Sequence, residues 1–511
     1  MRRWWPLLLI AVVVALPLLL RREADVVASP DATLVIISPH NEAIRYEFTR
    51  GFREWYRERT GEVVELDWRI PGGTSEIVRY INAQFAAARE LAARRGGDTQ
   101  GVGIGVDIFF GGGSFEHIRQ AGRGNLAVSR VMEAHPEWFA PESIPQSYAG
   151  ETLYDEQGRW VGAVVSGFGL IYNRPLLRAL GFEEGAIEEW ADLADPRLFG
   201  QVAVADPTKS GSITKCFEMI VQVRMLRAVE AAGPGTPEEA AVARGWTEAM
   251  RLIQKIAANG RYFTDSATKP VFDVAGGDCA AGMAIDFYGR FQQQTIQERV
   301  EEGDAAARRF VFHLPRGQST VSADPVAILK GAPNRELAEQ FVAYVMSLEG
   351  QQLWGYRAGL PEAVGGPARY TLRRSPIRRE LYEPPHAQYL ADREADLYRA
   401  AEGFVYHGGW TGPLFNVMRF TIKAAFINPH PELQEAWGAI IAARRAGRGG
   451  AAARAEAVMA DVSAIDYEAA KGRIRDVLGA DEPLAALRLE AELTRRFAAQ
   501  YREAAQIARG E

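Results

Sequence analysis

The sequence predicts an α/β protein with a helical tail, and three observations predict it. Through residues 33–114, short apolar runs rich in β-branched residues alternate with helical periodicity three times over. A second series of the same kind runs through residues 160–348. From Glu432 onward Ala, Arg and Glu dominate, and Leu489, Leu493, Phe497 and Tyr501 recur every four residues, the stripe of an amphipathic helix.

Taken in order, residues 33–37 (TLVII) read as a buried strand that stops at Ser38-Pro39-His40-Asn41-Glu42. Ile44, Phe48, Phe52 and Trp55 then share a helix face, and Thr60-Gly61 closes that helix. Residues 63–68 (VVELDW) read as a second strand, and Pro71-Gly72-Gly73-Thr74-Ser75 is a turn that opens a helix carrying Ile77, Ile81 and Phe85. The charged, Gly-rich stretch 91–103 is a loop. Residues 106–110 (VDIFF) form a third strand, ending in Gly111-Gly112-Gly113-Ser114. Strand, loop and helix in this succession imply a largely parallel sheet. Ligand-binding loops of such sheets lie beyond the carboxyl ends of the strands, where 38–42, 71–75 and 111–114 fall.

The second series opens with residues 160–165 (WVGAVV), which lead into Ser166-Gly167-Phe168-Gly169. A strand at 201–205 (QVAVA) ends in Asp206-Pro207-Thr208-Lys209-Ser210-Gly211-Ser212, ahead of a long helix through Phe217, Ile220 and Met225. Residues 281–285 (AGMAI) end at Asp286-Phe287-Tyr288, and a run beginning Asp324-Pro325 precedes a helix carrying Leu337, Phe341 and Val345. Past residue 365 the chain mixes Pro, Gly and aromatics, and Arg444 to Gly450 reads as a turn or break.

The first thirty residues bear on the compartment. Met1-Arg2-Arg3 precedes an apolar run from Trp4 to Leu20, and Arg21-Arg22 follows. A basic head before an uncharged apolar stretch is the pattern of an export signal, so the chain is expected to work in the periplasm or otherwise outside the cytoplasm. The run is at the short end of a membrane span, which leaves a removed signal and a retained anchor both open. Among 511 residues, 47% are hydrophobic and 24% charged, a composition suited to a soluble chain of two or three domains. A net charge of −6 gives no general attraction for nucleic acid. Two cysteines, Cys216 and Cys279, rule out a disulfide-built scaffold and are expected to be free and buried.

The ordered series of segments from about residue 32 to 365 resembles the periplasmic solute-binding proteins of ATP-driven (ABC) importers, in the branch that includes the ferric-ion binders. The loop Ser38-Pro39-His40-Asn41-Glu42 is similar to the family's opening loop, and Asp107-Ile108-Phe109-Phe110 to its third strand. The stretch from Ser166 to Asn173 resembles the crossing strand of the second lobe. Asp206 to Ser212 resembles its anion-facing loop, and Ala284-Ile285-Asp286-Phe287-Tyr288 the segment bearing the iron-binding tyrosines. The resemblance implies a type II periplasmic-binding fold, with two doubly wound lobes joined by a hinge. Lobe 1 is expected over 32–125 and 289–365, lobe 2 over 126–288, and a helical extension packing on lobe 2 over 366–511. It also implies a monomer that captures a solute without catalysis or a cofactor, delivers it to a membrane permease, and binds no nucleic acid.

The residues add chemistry to that picture. At Ser210-Gly211-Ser212 a helix opens, and the first N–H groups of a helix lack partners within it and favour anions. Lys209 adds charge nearby; simple N-capping is the plainer alternative. Gly73, Thr74 and Ser75 open a helix on the other lobe. His40 could hold a metal or donate to an oxyanion. Ferric binders carry two adjacent tyrosines where this chain has Phe287-Tyr288, which removes one phenolate from any ferric site. The candidate ligand-binding set is Ser38, His40, Asn41, Gly73, Thr74, Ser75, Gly112, Gly113, Ser166, Gly167, Lys209, Ser210, Gly211, Ser212, Asp286, Tyr288 and Asp324. His40 and Tyr288 would be metal ligands if the cargo were ferric ion. The expected solute is a small anion of organophosphate or phosphonate type. Ferric ion is the runner-up, and a sensing module for a membrane receptor is a further alternative. A hydrolase is disfavoured by the lack of a Gly-x-Ser-x-Gly elbow or a His-Glu-x-x-His motif. Arg373-Arg374 and His407-Gly408-Gly409-Trp410 are expected to be surface or packing elements.

Overall fold

The computed structural model describes residues 29–299, 308–393, 395–480 and 482–510. The apolar leader lies outside them. Among the described residues no helix is long and apolar enough to cross a membrane.

The chain opens with β1 (Ala32–Ile37), α1 (Glu42–Thr60), β2 (Val64–Arg69), α2 (Thr74–Arg94), β3 (Ile108–Phe110) and α3 (Ser114–Gly122). The sequence signals act as expected. Asn41 caps α1 by accepting from the Ile44 N–H at 3.1 Å, and Gly61 ends it with φ 77°. Two strands then follow almost without interruption, β4 (Val161–Ser166) and β5 (Phe168–Asn173). Next come β6 (Val202–Ala205), α4 (Gly211–Glu230), α5 (Glu238–Asn259), β7 (Gly260–Thr264), β8 (Ala281–Ile285), α6 (Asp286–Glu298) and β9 (Phe310–His313). The chain continues through β10 (Ser322–Ile328), α7 (Arg335–Met346), α8 (Leu348–Gly355) and β11 (Ser375–Pro376). The longer helices of the tail are α9 (Phe415–Ile422), α10 (His430–Arg445), α11 (Gly449–Met459) and α12 (Pro483–Arg509).

These strands build two main sheets, one per lobe. The first has the order β11-β4-β10-β3-β1-β2 and the second β9-β5-β8-β6-β7. In the first, β1 runs parallel to β2 and β3, while β10 is antiparallel to both β3 and β4. In the second, β8 is parallel to β6 and antiparallel to β5. Each sheet has its own apolar core, one around Phe48, Phe110 and Trp354 and the other around Phe217, Trp246 and Met283.

Between β4 and β5 stands Gly167 alone, so the chain passes from one sheet to the other within a single residue. A Cβ on Gly167 would sit 3.1 Å from methyl groups of Leu314 and Leu397. Glycine is needed there for close approach, not for a left-handed backbone. The return crossing, from β9 to β10, is tied to the first by a hydrogen bond of 3.0 Å from the Phe168 N–H to the Ser319 hydroxyl.

Strand pairing departs from the expected boundaries in three places. β4, expected in the second lobe, pairs with β10 in the first sheet. All six of its residues are buried, and an apolar run of that kind does not say which sheet it joins. β9, expected in the first lobe, pairs with β5 in the second sheet. The extension does not pack on the second lobe alone. β11 adds an edge to the first sheet, and Leu372, Ile377, Leu397 and Tyr398 join its core. From Phe404 onward the tail packs mainly on the second lobe, and α12 buries Leu489, Leu493, Phe497 and Tyr501 as their spacing foretold. Polar anchors fix that contact: the Trp246 indole donates to the Ile465 carbonyl at 2.9 Å, and the Gln254 amide lies 3.0 Å from the Tyr501 hydroxyl. Cys216 and Cys279 are free and buried.

Candidate ligand-binding cleft

The carboxyl ends of β1, β3, β6 and β8 and the hinge at Ser166 converge on one cleft of about 340 Å³ between the two sheets. The amino ends of five helices reach it: Asn41 of α1, Gly73-Thr74 of α2, Gly113-Ser114 of α3, Ser210-Gly211-Ser212 of α4 and Phe287-Tyr288 of α6. Partial positive charge sits at each of these ends. Only two have a side-chain cap, from Asn41 and Ser210. The Ser210 hydroxyl accepts from the Ile213 N–H at 3.2 Å, so N-capping is what this serine does. The first N–H groups of α4 remain without partners in their own helix.

Glycine makes the first-lobe rim. Gly111, Gly112 and Gly113 all have positive φ, at 91°, 101° and 83°. A Cβ on Gly111 would lie 2.8 Å from His40 Nε2, and one on Gly112 2.8 Å from Thr74 Cγ2. The triple-glycine turn therefore lets three segments of the first lobe meet.

At the centre stands a charge cluster. The Arg374 guanidinium donates to Asp324 at 2.8 Å and to the Ser166 hydroxyl at 3.2 Å, and it lies over the Phe287 ring at 4.1 Å. Asp324 accepts from the Gly113 N–H at 3.2 Å and lies 3.5 Å from His40 Nε2. Burial alone would raise the Asp324 carboxyl. The Arg374 charge and the nearby His40 imidazole outweigh it and hold the group well below the usual carboxylate range. Burial lowers the His40 imidazole, against the opposing pull of Asp324. Tyr288, half-buried beside Phe287, is pushed up by burial and stays a phenol.

Of the expected residues, His40, Asn41, Gly73, Thr74, Gly112, Gly113, Ser166, Lys209, Ser210, Gly211, Ser212, Tyr288 and Asp324 line this cleft. Four stand behind it. The Ser38 hydroxyl accepts from the His40 N–H at 3.1 Å, shaping the loop from within. Ser75 points to the Thr208 carbonyl at 3.5 Å, a contact between the two rims. Gly167 is the hinge residue. Asp286 is buried beneath the Phe287-Tyr288 turn, 3.9 Å from Arg290, and burial pushes its carboxyl up.

Sequence reasoning missed the cations that matter most. Arg374 was expected to be a surface or packing residue, but its side chain, 1% exposed, lies at the centre of the cleft. Arg419 and Phe415, from α9 of the tail, also line the cleft, as do Lys215 and Glu116. Arg419 carried a readable signal: a lone charge in the apolar stretch 415–422 (FNVMRFTI) has to find a partner. Arg374 carried none, since a pair of arginines in a loop is ordinarily solvated. The other segment given a surface or packing role, His407 to Trp410, is half-buried to exposed, with its two rings stacked at 3.9 Å.

The family model for bacterial extracellular solute-binding proteins matches residues 105–368, and the chain belongs to that family. A protein of Haemophilus influenzae of uncharacterised function is 28% identical over 251 residues, covering 48% of this chain and 60% of that one. The phosphoglycerate transport regulatory protein PgtC of Salmonella typhimurium is 24% identical over 193 residues, covering 38% of this chain and 40% of PgtC. The chain thus spans less than two thirds of either relative. An extracellular solute-binding protein from Bordetella parapertussis shares the fold, with a TM-score of 0.50 at 12% identity over 76% of this chain and 97% of that one.

Proposed function

We propose that this protein captures a small organic anion, of phosphate-ester or phosphonate type, between its two lobes and delivers it to an ABC permease. The observation that carries the proposal is the convergence of five helix amino ends on one cleft that also holds Arg374. Backbone N–H groups and a guanidinium together recognise phosphate oxygens without needing a metal. Lys209, exposed on the rim, adds attraction on approach. The name of the Salmonella relative, which refers to phosphoglycerate, fits the same chemistry.

Ferric ion fits less well. A trivalent cation needs hard anionic oxygens around it. Here the place of a second tyrosine is taken by Phe287, whose face carries the Arg374 guanidinium 4.1 Å away. Among the described residues no group of three or more His, Cys, Asp or Glu could hold a metal. The regulatory name of the same relative favours a second reading, in which the loaded protein reports to a membrane sensor.

A thermal-shift screen tests the class of cargo. A ligand that binds only the folded state adds about 2.7 kcal/mol at a hundredfold excess over Kd. Phosphate esters should raise the melting temperature by several degrees and ferric salts should not. A shift with ferric salts and none with any anion would reverse the assignment.

A further inference from the structure

The helical part of the tail also reaches the cleft, at a point where it meets the first lobe. Arg419 of α9 donates from Nε to the Thr214 hydroxyl at 3.0 Å and from Nη1 to Glu116 of α3 at 3.3 Å. Beside this pair the Phe115 and Phe415 rings pack at 4.3 Å. The remaining nitrogen, Nη2, hangs over the amino end of α4, about 4.0 Å from where a Cβ on Gly211 would stand. Glu116 is 4% exposed, and its Oε2 has no hydrogen-bond partner. A buried carboxylate oxygen without a donor is costly. The Glu116 side chain lines the cleft, next to a guanidinium and a helix amino end that suit an anion.

We propose that Arg419 and Glu116 form a specificity subsite that reads a hydroxyl group next to the ligand's phosphate. This proposal rests on the anion-capture reading above. Arg419 and the α4 amino end hold phosphate oxygens, and Glu116 Oε2 accepts a hydrogen bond from the ligand hydroxyl. A site with a buried acceptor discriminates strongly against an analogue that lacks the donor, because the acceptor is then left unpaired. The preferred class is therefore a hydroxylated phosphate ester, ahead of inorganic phosphate or a plain alkyl phosphate. The subsite spans both lobes and uses a residue of the tail, so the tail is part of the binding machinery.

The test is calorimetric titration of the full chain with glycerol 3-phosphate and with propyl phosphate. The intact protein should prefer glycerol 3-phosphate by tenfold or more. Glu116→Ala should remove that preference while leaving propyl phosphate as tight or tighter, since Arg419 is then free of its carboxylate. Glu116→Gln, with one acceptor oxygen for the two donors, should show a preference between those of the intact protein and Glu116→Ala. Arg419→Ala should weaken both esters by tenfold or more, with its unliganded melting curve confirming that it folds. Equal binding of the two esters by the intact protein would overturn the proposal. So would equal losses in Glu116→Ala and Arg419→Ala for both esters, the result expected of a structural strut. Failure of the intact protein to bind any phosphate ester would instead defeat the anion-capture reading itself.

Discussion

His117 shows how tightly single residues are held around the cleft. It is fully buried in α3, its ring stacks on Phe109 at 4.2 Å, and its Nδ1 lies 3.1 Å from the Gly113 carbonyl. Burial pushes the imidazole down to about 4, from 6.5 when free. Above pH 6.5 the ring is neutral in folded and unfolded chains alike and adds no pH dependence. As the pH falls from 6.5 toward 4 the unfolded chain takes the proton first, so stability drops through that window, by roughly 3 kcal/mol in full. Denaturant unfolding at pH 7 and pH 4.5 should show a smaller acid loss in His117→Phe than in the intact protein. Parallel losses would contradict the assignment. Little of this was visible in the sequence, which marks His40 by its place after a strand but gives His117 no distinguishing neighbour. The same holds for Arg374: its role comes from meeting Asp324, 50 positions away in the chain, and only the fold brings them together.

At the scale of elements, strand-and-turn punctuation was readable and sheet membership was not. The Gly111-Gly112-Gly113 turn and the Ser210-Gly211-Ser212 helix start stand where their residue types require. β4 and β9 changed sheets relative to expectation because apolar runs encode burial, while pairing is decided by long-range contacts. Element geometry yields its own prediction at Gly112. With φ at 101° and Thr74 Cγ2 2.8 Å from its would-be Cβ, an alanine there is strained twice over. Gly112→Ala should cost about 1–3 kcal/mol in unfolding free energy. It should also weaken ligand binding, by pushing the α2 start away from the cleft. An unchanged denaturation midpoint together with unchanged affinity would show that the turn tolerates a side chain.

For the whole molecule, the two-lobed plan follows from two sheets joined at Gly167 and at the return into β10, with the cleft beside the hinge. Hinge closure around a ligand is the usual motion of such an architecture. The rims already touch through Ser75 and Thr208 and through Arg419 and Glu116, so closure has contacts to build on. The order of segments along the chain made this plan legible in the sequence. The part played by the tail was only partly legible: the lone charge of Arg419 in an apolar stretch implied a partner, but nothing in the sequence says that it, like Arg374, turns into the cleft. We propose that the facing rims, with Arg374 between them, trap one anionic solute. Isothermal titration of the intact protein and of Arg374→Ala with a phosphate ester such as glycerol 3-phosphate tests it most directly. One site per chain in the intact protein, weakened about a hundredfold or more in the variant, is the expected result. Equal affinity in the two proteins, or saturable binding of ferric ion and of no anion, would contradict it.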